Sequence, residues 1–356
     1  MDIVLMIFYV TIVLGVLVFI HEGGHYLAAR AFGVRVTEFM LGLPGPGVGF
    51  TVGRTRFGVT AIPLGGYARV CGMEPGPENP HVERALAFAY DRGTVDADDL
   101  AEELGLSVDE AIDVLYVLVE WGSLTAPKKT DEFNTFRTPA LRDRRRHIDE
   151  AEGTPRWYPS AHRLYESERA QTYRALPFWK RSVILLAGIF VNLLFAVVVF
   201  VVAFSVVGVD MVDQAGTVFH VVVPPADALA AGVNYIGMVG QAILGLFNPQ
   251  TAAATVEGST SIVGMAVLSK SYADAGPLMF IMFMAMLSVS LGLMNLLPIP
   301  PLDGGRFVVE LFQKLSRKVV GPRVMNAMSV AGLLLFGAFF VFMLNQDIQR
   351  FVFGNW

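Results

Sequence analysis

Residues 3–25 read IVLMIFYVTIVLGVLVFIHEGGH, an apolar run that ends in three ionisable side chains. Its first 18 residues carry no charge, and about 20 apolar residues are enough for a helix to cross a bilayer. Ionisable groups are costly in hydrocarbon, so their presence in such a helix indicates a functional site. Residues four apart share a helix face, so His21 and His25 can bind one metal ion, with Glu22 beside them as a general base. The pattern predicts metal-assisted hydrolysis carried out in a bilayer.

The composition is that of a membrane protein. Of the 356 residues, 54% are hydrophobic and only 17% are charged, far from the balance of an ordinary soluble domain. About four segments are long and apolar enough to be transmembrane helices, namely 3–31, 183–207, 278–297 and 324–344.

The lysines and arginines of the loops predict the orientation in the membrane. Residues 77–181 contain fifteen of them, whereas residues 209–277 contain only Lys270. We therefore expect a multi-pass protein of the cell inner (plasma) membrane, with a cytoplasmic 34–181 segment and both termini external. His21 and its neighbours then lie toward the cytoplasmic end of the first span.

A β-prone region follows the first span. Between residues 34 and 76, short β-prone pieces alternate with glycine and proline, and residues 53–56 are typical of a turn between strands at 49–52 and 57–62. The region is apolar, so we predict a membrane-associated β-hairpin, with an ordinary surface hairpin as the alternative.

Residues 80–130 predict a separate cytoplasmic module. Three short amphipathic helices and a strand follow one another as in a winged helix, and Ser107 with Glu110 forms a capping box at the start of the third helix. Winged helices often bind DNA, but residues 81–130 carry eleven acids and four bases, the wrong sign for phosphate. We therefore expect no nucleic acid and predict that the module binds a cytoplasmic protein partner.

The predicted fold is an α-helical membrane protein with about four transmembrane helices, a membrane-associated β-hairpin region and an inserted winged-helix-like cytoplasmic module. Its predicted segments are a first transmembrane helix (1–33), the β region (34–76), the module (77–130), a polar linker with a helix (131–181), a second transmembrane helix (182–208), an external segment (209–277), a third transmembrane helix with a cytoplasmic connection (278–323), and a fourth transmembrane helix with a tail (324–356).

A catalytic zinc site needs a third protein ligand beside the two histidines. The remaining histidines lie in polar segments, where ordinary surface histidines are expected: His81, His147, His162 and His220. Asp303 is the better candidate, because prolines end the third span just before it and glycines after it let the backbone turn. The alternative is a helix terminus with a solvated aspartate.

Together, His21-Glu22-x-x-His25 and Asn295-x-x-Pro298-x-Pro300-x-x-Asp303-Gly304 resemble the motifs of the site-2 protease family, the intramembrane zinc metalloproteases of peptidase family M50, in its bacterial type. Two further stretches are similar to that family: Pro63-Leu64-Gly65-Gly66-Tyr67 to its β region, and Gly188-x-x-x-Asn192 to its next span.

The resemblance implies a zinc metalloendopeptidase. Zn²⁺ is the implied cofactor, Glu22 the implied catalytic base, and His21, His25 and Asp303 the implied metal ligands. The implied substrate-binding residues are Asn192, Asn295, Pro298, Gly65 and Gly66.

The implied activity is hydrolysis of peptide bonds within transmembrane segments of membrane-anchored substrates. Regulated intramembrane proteolysis, for example of anti-sigma factors or remnant signal peptides, is the expected role, and the expected partners are such substrates and the lipid bilayer. A non-proteolytic membrane sensor or scaffold with a structural zinc is the alternative, although such a site needs no base like Glu22. A zinc transporter would need more polar residues in its spans.

The chain departs from the family pattern in its accessory parts. Bacterial relatives often carry PDZ domains after the second span, but residues 209–277 contain at most a remnant of one. We expect substrate selection to have moved to the 80–130 module.

Overall fold

The computed structural model describes residues 2–62, 65–74, 76, 78–128, 130–131, 134–143, 148–212 and 218–353. Their α-helices are α1 (Asp2–Ala31), α2 (Val82–Arg92), α3 (Ala97–Leu104), α4 (Val108–Glu120), α5 (Ala161–Arg169), α6 (Phe178–Val202), α7 (Pro225–Gly245), α8 (Ala252–Glu257), α9 (Ile262–Asp274), α10 (Pro277–Asn295), α11 (Asp303–Ser316) and α12 (Pro322–Asp347). Their strands are β1 (Val36–Leu41), β2 (Gly47–Val52), β3 (Thr55–Thr60), β4 (Gly66–Val70), β5 (Thr94–Asp96), β6 (Thr135–Arg137), β7 (Leu141–Asp143), β8 (Ile148–Glu150), β9 (Val209–Val212) and β10 (Val218–Val221).

Five helices of the described chain are long and apolar enough to cross a membrane. Four of them, α1, α6, α10 and α12, are the predicted spans, and α6 continues as a π-helix through Ala203–Val207. The fifth, α7, lies within residues 209–277, for which the sequence predicts an external segment and no helix of this length. Its many alanines and glycines keep its mean hydropathy at 1.3, against at least 2.1 for the other four helices. Because of this low hydropathy, the sequence pattern did not indicate a long helix.

Packing against α6 supports the length of α7. The ring centroids of Phe200 and Tyr235 lie 5.6 Å apart in an edge-on contact. Gly232 is buried, and a side chain there would reach the Phe200 ring. Small residues let two helices approach closely, and the two buried residues of α7, Ala228 and Gly232, are both small.

The strands after α1 form one four-stranded sheet in the order β2-β3-β1-β4. The predicted hairpin is confirmed as β2 and β3, joined at Gly53, whose φ of +62° favours glycine. β1 pairs parallel to β3 and antiparallel to β4, so β2 and β4 are the two edges. All six residues of β2 are exposed, whereas β4 contacts α1.

The insert, which we define as the described residues between 78 and 169, has a hydrophobic core of its own. Apolar side chains of α2, α3 and α4 are buried together with Phe136 of β6, and α5 packs on α2. The three predicted helices and the capping box at Ser107 are confirmed. The likeness to a winged helix stays a prediction. The basic run at 144–146 and His147 lie outside the described residues.

A buried ion pair fixes the insert to the rest of the protein. Arg35, directly before β1, is 2% exposed, and its guanidinium donates to the Glu168 carboxylate of α5 at 2.9 Å. The same guanidinium donates to the main-chain carbonyl of Trp121 at 2.9 Å, and Ser123 donates to Glu168 at 2.6 Å. The insert therefore has a fixed position beside the sheet.

Candidate metal centre

The α1 helix places three functional side chains within its last three turns. His21 and His25 are both buried on one face, and their rings meet edge-on with centroids 4.9 Å apart. Glu22, the next residue round the helix, lines a cavity of about 340 Å³ beside them. Both histidines line the same cavity, so the potential metal ligands and the Glu22 carboxylate face one common space.

Asp303 completes a cluster of three potential metal ligands. It begins α11 after the proline-rich segment that follows α10, and its Oδ2 lies 3.0 Å from Nε2 of His21 and 3.1 Å from Nε2 of His25. The two Nε2 atoms are 3.4 Å apart. The three side chains therefore converge on one point, although 278 residues separate the second histidine from the aspartate.

These distances fit a tetrahedral zinc ion. Ligand atoms about 2.0–2.1 Å from such an ion lie roughly 3.3–3.4 Å from one another, close to the three separations observed here. Two imidazoles and one carboxylate are also a donor set that catalytic zinc uses, with a fourth position left open.

The α6 helix orients both imidazole rings. Nδ1 of His25 donates to the main-chain carbonyl of Ile184 at 2.8 Å, which leaves the lone pair of Nε2 free for a metal. Nδ1 of His21 lies 3.2 Å from the side-chain nitrogen of Asn192, whose Oδ1 has no hydrogen-bond partner among the described residues. A half-turn of that amide makes Oδ1 the acceptor of the Nδ1 proton and satisfies both groups.

Two glycines allow α1 and α6 to approach at the cluster. A Cβ at Gly24 would lie 2.6 Å from the carbonyl oxygen of Ala187, and a Cβ at Gly188 would lie 2.5 Å from Nε2 of His25. Both distances are below van der Waals contact, so neither position tolerates a side chain without movement. Gly23, by contrast, has open space around it.

The sheet supplies the opposite wall of the cavity. β4 contributes Gly66 and Ala68, and the Ala68 N–H donates to Oε2 of Glu22 at 2.8 Å. Ala68 directs its N–H away from β1, so this hydrogen bond uses the free edge of the sheet. Glu22 is therefore held between α1 and an edge strand.

The predicted substrate-binding residues separate into two groups. Gly65, Gly66 and Asn295 line the cavity, the last with its amide donating to the Leu291 carbonyl at 3.0 Å. Asn192 is fully buried behind His21, and Pro298 is exposed and is not among the cavity's described lining residues. Pro63 and Leu64 lie outside the described residues.

Sequence reasoning missed the contributions of Ala68 and Ile184, because both act through main-chain atoms that carry no sequence signal. For Gly24 the sequence does contain a signal, namely the position of this glycine between the two histidines.

The family model of peptidase family M50 matches residues 9–339, nearly the whole chain. The chain belongs to peptidase family M50. This membership confirms the predicted resemblance to site-2 proteases, the enzyme class of a zinc metalloprotease, Zn²⁺ as cofactor, and a multi-pass membrane protein.

Several relatives of this M50 chain carry the name of a zinc metalloprotease. One from Agrobacterium fabrum is 28% identical, with 96% of this chain and 95% of the relative aligned. One from Clostridium perfringens is 24% identical over 93% of this chain and 95% of its own length. One from Mesorhizobium japonicum is 29% identical, with 94% of this chain and 96% of the relative aligned. The similarity therefore extends beyond the two motifs.

Proposed function

We propose that this protein hydrolyses peptide bonds within transmembrane segments of membrane-anchored substrates. The observation that carries the proposal is the convergence of His21, His25 and Asp303 at the end of an apolar helix, with Glu22 on the adjoining cavity. A structural zinc site in a sensor or scaffold has no use for a carboxylate aimed into a cavity, so the geometry favours a peptidase.

Each residue of the cluster has a role in this proposal. His21, His25 and Asp303 hold Zn²⁺, which when bound acidifies a water molecule and polarises the peptide carbonyl. Glu22 accepts the proton from the attacking water and delivers it to the leaving amine. The Ala68 N–H keeps the Glu22 carboxylate pointed into the cavity during both steps.

The substrate binds as an added strand on β4. A peptide bond in a helix is enclosed by its own hydrogen bonds, so the substrate must be extended at the point of cleavage. β4 is the edge strand that lines the cavity, whereas β2, the other edge, is not among the cavity's described lining residues. The β4 positions 66, 68 and 70 alternate with those bonded to β1. The Ala68 N–H is taken by Glu22, so the main-chain groups of 66 and 70 and the Ala68 carbonyl pair with the substrate. Asn295, at the cavity wall, donates to the substrate backbone.

The proposed orientation puts the 34–181 segment in the cytoplasm and both termini outside. Contacts of α9 support a shared side for the termini, because Lys270 lies 3.6 Å from Asp2 at the start of α1. Gly264, six residues earlier on α9, donates its N–H to Asp347 at the end of α12 at 2.9 Å. Six helical residues span about 9 Å, so the start of α1 and the end of α12 lie at similar depth.

The proposed biological role is regulated intramembrane proteolysis, with anti-sigma factors or remnant signal peptides as substrate classes. The substrates are membrane proteins with a transmembrane helix, and the insert is the candidate contact for a cytoplasmic part of them.

The test uses purified protein in detergent with one zinc per chain and a fluorescent transmembrane peptide as substrate. Glu22→Gln should abolish cleavage and retain zinc, whereas Glu102→Gln, an exposed change on α3, should leave the rate unchanged. Cleavage by Glu22→Gln at the wild-type rate would refute the proposal. Zinc flux into liposomes without peptide cleavage would indicate a transporter instead.

A further inference from the structure

A second cavity of about 860 Å³ opens between the insert and the core of the protein, by which we mean the sheet, the long apolar helices and α11. One wall comes from α4 of the insert, with Asp113, Tyr116, Val117 and Glu120. The other comes from β4, α11 and α12 of the core. The volume falls in the range of ligand-binding sites, about 300–1,000 Å³.

This cavity continues from the metal centre. Both cavities share the lining residues Ala68, Val70, Met73, Leu185 and Arg306. β4 forms part of the wall of each, and its free edge runs from one to the other. An extended peptide advances about 3.3 Å per residue, so a chain paired with β4 beside Glu22 enters the second cavity within a few residues.

The insert's wall is acidic and lacks a paired cation. Asp113 and Glu120 are its charged residues, and in the described part of the chain no lysine or arginine lies within ion-pair distance of either. Three arginines line the opposite wall. Arg306 lies where the two cavities meet, and the other two have partners of their own. Arg69 pairs with Glu38 at 3.4 Å, and Arg174 donates to the main-chain carbonyl of Glu74 at 2.5 Å.

The protonation equilibrium of the Glu120 carboxyl also favours a cationic ligand. Burial raises the pKa of its carboxyl to about 7, although the Glu74 N–H donates to it at 2.6 Å. The facing charges are those of Glu74, which raises this pKa further, and Arg174, which lowers it. A cation in the cavity would complete the ionisation of Glu120 and gain a charge-assisted contact.

Transmembrane helices carry an excess of lysine and arginine on their cytoplasmic flank. We propose that the acidic wall of the insert, Asp113 with Glu120, binds the basic cytoplasmic flank of the substrate while its cleaved segment pairs with β4. This inference rests on the proposed function and its orientation. It gives the insert a role in substrate selection that acts through charge.

The test measures binding without turnover. A labelled twelve-residue peptide with four lysines is compared with the same peptide carrying four glutamines or four glutamates, on full-length Glu22→Gln protein in detergent. The Asp113→Asn/Glu120→Gln variant is compared with Glu102→Gln/Glu103→Gln, which removes two exposed carboxylates of α3 outside the cavity. Asp113→Asn alone guards against a folding defect of the double variant.

We expect the lysine peptide to bind at least tenfold more tightly than the glutamine peptide, with the preference weakened by salt. The cavity variant should lose the preference and the α3 variant should keep it. Equal loss in both variants, no lysine preference, or tighter binding of the glutamate peptide would each overturn the inference. Because no cleavage is measured, these outcomes are separate from failure of the proposed peptidase activity.

In the active enzyme, the cavity variant should raise KM about tenfold for a substrate with a lysine-rich flank, with kcat unchanged. A substrate whose flank carries glutamine should be cleaved equally by both proteins. A change in kcat alone would contradict a binding role.

Discussion

The main-chain N–H of Ala68 donates to Oε2 of Glu22 at 2.8 Å, joining an edge strand to a carboxylate 46 residues earlier in the chain. The strand that lines the cavity therefore also orients the proposed base. Because Ala68 uses a group on the free edge of β4, this contact costs the sheet no hydrogen bond.

Ala68→Pro removes that N–H from a position where proline leaves the sheet ladder intact. A hydrogen bond to a charged group is worth about 1.5–3 kcal/mol, so we expect kcat to fall roughly tenfold to hundredfold. Zinc content, measured on the same sample, should not change. Wild-type kcat in this variant would show that Glu22 needs no support from β4.

Asn192→Ala removes the partner of Nδ1 of His21. Loss of such an orienting contact typically weakens metal binding about 10–100-fold, which competition with a zinc chelator measures. Ser288→Ala is the matched control, because Ser288 is equally buried and donates to the main-chain oxygen of Asn192 without contacting His21. Equal zinc affinities of the two variants would assign Asn192 a purely structural role.

Gly24→Ala and Gly23→Ala differ only in which helix face receives a methyl group. The first directs it into the main chain of Ala187, and the second into open space. Forcing an extra methyl group into a packed contact costs about 1–3 kcal/mol. We expect Gly24→Ala to lower the thermal unfolding temperature and the bound zinc, and Gly23→Ala to preserve both. The reverse order would be incompatible with the close crossing of α1 and α6.

Arg35→Ala removes the cation that Glu168 contacts at 2.9 Å and leaves its buried carboxylate with Arg54 alone, 4.0 Å away. Breaking a buried pair in this way costs about 3–5 kcal/mol, whereas Arg169→Ala breaks an exposed pair with Glu78 worth about 0–1 kcal/mol. Limited proteolysis should cut the insert sooner in the first variant only. Equal cleavage rates would mean that Arg35 does not anchor the insert.

Glu120 makes the stability of the folded protein depend on pH, and the direction of that dependence follows from its pKa. Its folded pKa of about 7 exceeds the ordinary value of 4.5, so the protonated form favours folding and stability falls as pH rises through this window. Glu120→Gln keeps an acceptor for the Glu74 N–H and should stabilise the protein by about 1–3 kcal/mol at pH 8. At pH 4 the two proteins should unfold at the same temperature. A stabilisation equal at both pH values would point to packing instead of ionisation.

The sequence by itself determined the features that depend on local pattern. Unbroken apolar runs predicted α1, α6, α10 and α12, because spanning a bilayer requires length and hydrophobicity that a single segment carries. The four-residue spacing placed His21 and His25 on one face, and prolines before Asp303 indicated where an acid would enter the same region. The hairpin of β2 and β3 and the capping box at Ser107 were likewise readable from neighbouring residues.

Only the tertiary structure decided the relationships between distant segments. The partner of His21 lies 171 residues away at Asn192, and the partner of Arg35 lies 133 residues away at Glu168. The choice of β4 as cavity wall depends on sheet order, and the contact of Tyr235 in α7 with Phe200 depends on how α7 packs against α6. These features depend on main-chain hydrogen bonds, close contacts of small side chains and buried pairs. Each such interaction stabilises the protein only after folding has brought two distant segments into contact.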